Sequence, residues 1–265
     1  MVLRSARSAP RAGRKRRVLA VAALLVCVLA ACAPGPRPES SGSASATSTP
    51  STTAAGTPAP AATITLDSPM ADAPVTVPVT IKGTASTADS KLVVDLLDAD
   101  GQPLCVRHIT ATPGSGSSAT WQTDLAFEPP DAEQDVTLRA YTQSAADGSA
   151  ENIVERPLTL TAERPPIIIT SPGCGDTVAP GGTLTVVGRA LVPEAQFTLE
   201  LRDASGAAVL TQDVMAADGT QESDFSATLD IPAGLSAGFY DLVGFDNSLK
   251  DGSEQYDFPV QLLVQ

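Results

Sequence analysis

Phe197-Thr198-Leu199-Glu200-Leu201-Arg202 alternates apolar and polar side chains, and Leu92-Val93-Val94-Asp95-Leu96-Leu97 holds the corresponding place roughly a hundred residues earlier. A period of two puts successive side chains on opposite faces of a strand. The earlier segment is ambiguous alone, because it is apolar nearly throughout. Its later counterpart settles the faces, so that Leu92, Val94 and Leu96 are expected to point inward together with Phe197, Leu199 and Leu201.

The correspondence extends well beyond these strands, with a period of about 104 residues. Ser68-Pro69 returns as Ser171-Pro172, Gly83 as Gly188, Asp98-Ala99-Asp100-Gly101 as Asp203-Ala204-Ser205-Gly206, and Asp147-Gly148-Ser149 as Asp251-Gly252-Ser253. Trp121 returns as Phe225, so Trp121, Thr123, Leu125 and Phe127 are expected to share a face, as are Phe225, Ala227, Leu229 and Ile231. A repeat of this length matches a whole small domain and is too long for a solenoid unit. One domain is therefore placed at 63–162, with a hinge and second domain at 163–265. Short alternating segments separated by Asp-Gly turns, without a convincing helical period, predict an all-β chain of two tandem β-sandwiches.

At these residues the chain resembles the immunoglobulin-like domain of bacterial spore germination proteins. The first copy carries the likeness through Ile64-Thr65-Leu66-Asp67-Ser68-Pro69, Val79-Thr80-Ile81-Lys82-Gly83-Thr84-Ala85, Trp121, and Leu138-Arg139-Ala140-Tyr141-Thr142-Gln143-Ser144 before Asp147-Gly148. The second carries it through Ile169-Thr170-Ser171-Pro172, Val187-Gly188-Arg189-Ala190 and Gly244-Phe245-Asp246-Asn247-Ser248 before Asp251-Gly252. The resemblance implies tandem immunoglobulin-like sandwiches, extracytoplasmic and non-catalytic, with no catalytic residues to carry over.

The N-terminus supplies an address. Residues 1–31 hold seven basic residues and no acid, and Val18 to Ala31 are fourteen apolar residues, too short for the roughly 20 that span a bilayer as a helix. The stretch ends in Leu29-Ala30-Ala31-Cys32, which resembles the lipobox of bacterial lipoproteins. That resemblance implies a signal peptide at 1–31, acylation of Cys32 and a cell-envelope protein lipid-anchored to the outer face of the cytoplasmic membrane. An ordinary signal peptide with an incidental cysteine is the alternative. Residues 32–62 then form a Ser/Thr/Ala/Pro tether, since every residue of 33–62 except Arg37 and Glu39 is Ala, Pro, Gly, Ser or Thr. Such a segment cannot bury enough apolar surface to offset the entropy of ordering it, so it is expected to be disordered.

Charge and composition exclude several partners and chemistries. The formal charge is −13, and without residues 1–31 ten basic residues face thirty acidic ones, a net −20. A field of that sign disfavours nucleic acid and any purely electrostatic hold on an anionic membrane. The single histidine, His108, lies in a predicted strand, with Asp213 at its place in the second copy, and no Gly-x-Ser-x-Gly elbow exists to pair with it. The segment Ser171-Pro172-Gly173-Cys174-Gly175 resembles a Ser-His-Gly-Cys transpeptidase nucleophile only with proline in place of the base, so Cys174 reads as structural. No cofactor is implied. The Asp-rich turns are the best candidates for calcium, yet the second copy's Ser205 replaces an oxygen ligand while keeping the turn, which favours Asp capping its own backbone.

Cys105 and Cys174 remain once Cys27 leaves with the signal peptide and Cys32 is acylated. An exported chain tends to pair such thiols. Because the two lie in different copies at non-equivalent positions, a bridge would join the sandwiches, whereas two unpaired thiols would leave the hinge free. The expected function is a non-enzymatic binding or structural module acting on an envelope protein or polymer, with Pro113 to Ser118 and the Asp-Gly turns as contact surfaces. The alternative is an accessory or targeting module for a cell-wall hydrolase or transpeptidase.

Overall fold

The computed structural model describes residues 62–87, 91–111 and 118–265. The signal peptide, Cys32, the tether to Ala61 and residues 113–117 of the predicted contact loop lie outside the described residues. Eight strands form the first sandwich: β1 (Thr63–Ser68), β2 (Pro74–Val75), β3 (Val79–Ser86), β4 (Lys91–Leu97), β5 (Pro103–Thr110), β6 (Ala119–Leu125), β7 (Gln134–Gln143) and β8 (Ala150–Leu160). Eight more form the second: β9 (Ile167–Ser171), β10 (Thr177–Val178), β11 (Thr183–Ala190), β12 (Gln196–Arg202), β13 (Ala208–Met215), β14 (Ser223–Asp230), β15 (Gly238–Asn247) and β16 (Glu254–Val264). No α-helix occurs among the described residues; a single 3-10 turn covers Pro193–Ala195.

Each sandwich packs a three-stranded sheet on a five-stranded one. The orders are β1-β3-β6 against β2-β8-β7-β4-β5, and β14-β11-β9 against β10-β16-β15-β12-β13, so the two copies have the same topology. The pairings are antiparallel except β2 with β8 and β10 with β16, where the chain has crossed from one sheet to the edge of the other. Leu92, Val94, Leu96, Phe197, Leu199 and Leu201 are all buried in the core, as the comparison of copies predicts. Trp121, Thr123 and Leu125 share the buried face of β6, while Phe127 lies past the strand end and is only partly buried.

Two glycines sit on the central strands of the three-stranded sheets, β3 and β11. Gly83 stands opposite Trp121 and Gly188 opposite Phe225, with the aromatic ring laid over the glycine in each copy. A Cβ on Gly83 would sit 2.1 Å from the Thr65 carbonyl oxygen and 2.5 Å from the Trp121 ring; on Gly188 it would sit 2.0 Å from the Ile168 oxygen. The neighbouring strand, β1 or β9, is bulged at this point. A guanidinium group holds the irregular backbone after β1. Arg156 of β8 donates to the Leu66 carbonyl at 2.5 Å and also to that of Pro69.

The outer faces of the five-stranded sheets are covered by charged pairs laid over aromatics. Asp95, almost fully buried, accepts both Nε and Nη2 of Arg139 at 2.9 and 2.6 Å, and Arg139 lies over Tyr141. Arg202 lies over Phe245 in the second copy, paired with Glu200 and Glu254. Buried apolar residues of both sandwiches form one contiguous cluster, which includes Cys105 and Ala126 of the first copy and Ile168 of the second.

Candidate functional site

β5 is an edge strand, and an unpaired edge exposes a row of backbone donors and acceptors unless something covers it. Here the second sandwich covers it. The side chain of Gln261, on β16, accepts the His108 backbone N–H at 2.7 Å and donates to the His108 carbonyl at 3.0 Å, standing in for a neighbouring strand. On one side of β5, Arg107 donates to Asp241 at 2.5 Å. On the other, the His108 ring stacks on Phe239, centroids 4.3 Å apart and planes 12° off parallel. Asp241 and Gln261 are cross-strand partners on β15 and β16, so a short row of one sheet face grips a strand edge.

Cys105, in the same strand, is bonded to Cys174 in the turn after β9, with Cα atoms 5.2 Å apart. The pairing joins the two copies, and it leaves no titratable thiol in either position. The hinge is tied down as well: Arg164 pairs with Glu222 at 2.7 Å, and the Leu191 N–H donates to the Pro166 carbonyl. Burial holds the His108 imidazole below its ordinary value, which disfavours the imidazolium form against Phe239.

Between the sandwiches this junction leaves a crevice of about 690 Å³. Its walls come from β4, β5, β6 and the end of β7, from the Asp203-Ala204 turn, and from Phe239, Asp241 and Gln261. Asp241 uses one carboxylate oxygen on Arg107, while its other, buried, meets no donor among the described residues.

The Asp-Gly turns behave as self-capped turns. Asp98 Oδ1 accepts the N–H groups of Asp100 and Gln102, and Asp203 Oδ1 accepts those of Ser205 and Ala207. Hydrogen bonds from the following serine or threonine hold Asp147, Asp203, Asp218 and Asp251 below the usual carboxylate range. One oxygen of each is committed to the backbone of its own turn, and among the described residues no three His, Cys, Asp or Glu side chains are grouped to hold a metal.

His108 lies in a strand as expected, and that strand is an edge that the other copy covers. Phe239, Asp241 and Gln261 are the junction residues that reading by periodicity does not find. The signal that would have found them lies in the mismatches between copies, since Arg107-His108 aligns with Gln212-Asp213 and Asp241 with Thr137.

The family model for the immunoglobulin-like domain of bacterial spore germination matches residues 63–149 and again 166–253. The chain belongs to this family, twice over. No curated protein sequence matches it. Among solved structures, this pair of spore-germination-type domains is similar to the fibronectin(III)-like modules of Clostridium thermocellum CbhA, at 13% identity over 76% of this chain and 94% of that one, TM-score 0.25. It is also similar to the D1–D4 ectodomain fragment of ICAM-5, at 17% identity over 76% and 53% of the two chains, TM-score 0.26. A third likeness is to dimeric latent PorU of Porphyromonas gingivalis, at 12% identity over 77% and 24%, TM-score 0.31.

Proposed function

We propose that this is a lipid-anchored cell-envelope protein whose tandem immunoglobulin-like domains act as a non-enzymatic binding or structural module. The observation that carries the module reading is the junction: a disulfide, a side-chain clamp on a strand edge and a shared apolar cluster join two immunoglobulin-like domains into one body. The reading of the anchor rests on the basic block, the fourteen-residue apolar stretch and Leu29-Ala30-Ala31-Cys32. A mature charge of one sign gives no attraction to anionic lipid, so attachment falls to the acyl chains on Cys32. The partner would be an envelope protein or polymer.

Metabolic labelling with a clickable palmitate tests the anchor. The wild type is expected to be labelled and Cys32→Ala is expected not to be; label surviving that substitution contradicts the assignment. Cross-linking in intact cells with mass spectrometry tests the module. Adducts to a wall polymer or a non-catalytic protein support it, and adducts confined to one hydrolase or transpeptidase would make the chain that enzyme's accessory instead.

A further inference from the structure

We propose that the crevice between the sandwiches is a binding site for a short segment of a neutral, hydroxyl-rich oligosaccharide. The inference rests on the binding reading above and names the ligand class for it. Three properties of the crevice lead there.

First, it is held open by covalent and hydrogen-bonded ties that do not depend on a ligand, and its volume of about 690 Å³ falls within the range of roughly 300–1,000 Å³ found for pre-formed small-molecule sites. Second, its charges balance locally. Lys91 and Arg107 stand against Asp203 and Asp241, with Arg107 committed to Asp241, so the lining holds no net positive charge to draw an anionic ligand in against the −20 field outside it. A wholly apolar ligand fits no better, because it would strip water from Thr110, Gln122 and Gln143 without returning their hydrogen bonds. Third, these hydroxyl and amide groups offer both donors and acceptors, and Phe239 adds an apolar ring. Hydroxyl groups on a sugar ring donate and accept at once, and the C–H face of the ring packs on aromatic carbon.

The test is an NMR titration of the mature protein with neutral hexasaccharides of glucose and of N-acetylglucosamine, with poly-glutamate as the anionic control. At least one hexasaccharide is expected to shift the amides of Gln143, Asp203 and Phe239 saturably below roughly 10 mM. Ala204→Trp, which projects a bulky ring from an exposed turn into the crevice, is expected to weaken that binding on the order of tenfold or more while leaving the melting temperature unchanged. Absence of saturable shifts with every hexasaccharide, binding that survives Ala204→Trp, or binding of poly-glutamate alone would each overturn the site. Any of these results alongside polymer or protein adducts in cells would leave the module reading standing, so the two can fail separately.

Discussion

Glycine is required at 83 and 188 by space and not by turn geometry. A methyl group there collides with a backbone oxygen that cannot swing aside and with an aromatic ring already packed in the core. Gly83→Ala is therefore expected to destabilise by about 3 kcal/mol. Gly101→Ala is the control: its φ is +76° but nothing lies within 4 Å of the added carbon, and about 1 kcal/mol is expected from the left-handed backbone alone. Urea unfolding of the two variants decides this, and equal losses would contradict the steric account. His108 supplies a second prediction at this scale. Its folded pKa lies below the ordinary 6.5 because burial disfavours the charged ring, so the unfolded chain binds more protons in the window just under 6.5. Stability should rise with pH through that window and level off above it. As the chain has one histidine, His108→Phe, which keeps a ring against Phe239, should flatten the slope. Asp147, Asp203, Asp218 and Asp251 in the turns have lowered values, so their contribution is lost only as pH falls below the usual carboxylate range and leaves the histidine window undisturbed.

Faces of strands were legible in the sequence; edges were not. The alternation of β12 assigned the inward set of β4, and the Asp-Gly turns marked where chains reverse, because both are dictated by local backbone geometry. What covers the free edge of β5 depends on Gln261, some 150 residues away, and no local period encodes that. Glutamine in a sheet reads as an ordinary solvent-facing residue until its amide is found pairing with both backbone groups of His108. Gln261→Leu removes two hydrogen bonds and leaves a part-buried N–H and carbonyl unpaired. A loss of about 2 kcal/mol is expected, together with faster amide hydrogen exchange at His108. Exchange at His108 as slow as in the wild type would show that the clamp does not protect the edge.

At the scale of the molecule, the two sandwiches share one topology, and the positions at which the copies differ are the ones that join them. Arg107, His108 and Cys105 of the first copy, facing Asp241, Phe239 and Cys174 of the second, have no equivalents that would let the second copy grip a third in the same way. The bridge closes a loop of 69 residues, for which the chain-entropy model gives about 4 kcal/mol, so Cys105→Ala with Cys174→Ala should lower stability by roughly that amount. The same double variant should loosen the junction, seen as a larger radius of gyration in X-ray scattering. The claim that two domains act as one body is tested most directly by peptide mapping of the exported protein, alkylated under denaturing conditions without reduction. The account predicts a single disulfide-linked pair of peptides carrying Cys105 and Cys174, with neither alkylated; both cysteines recovered as separate alkylated peptides would contradict it.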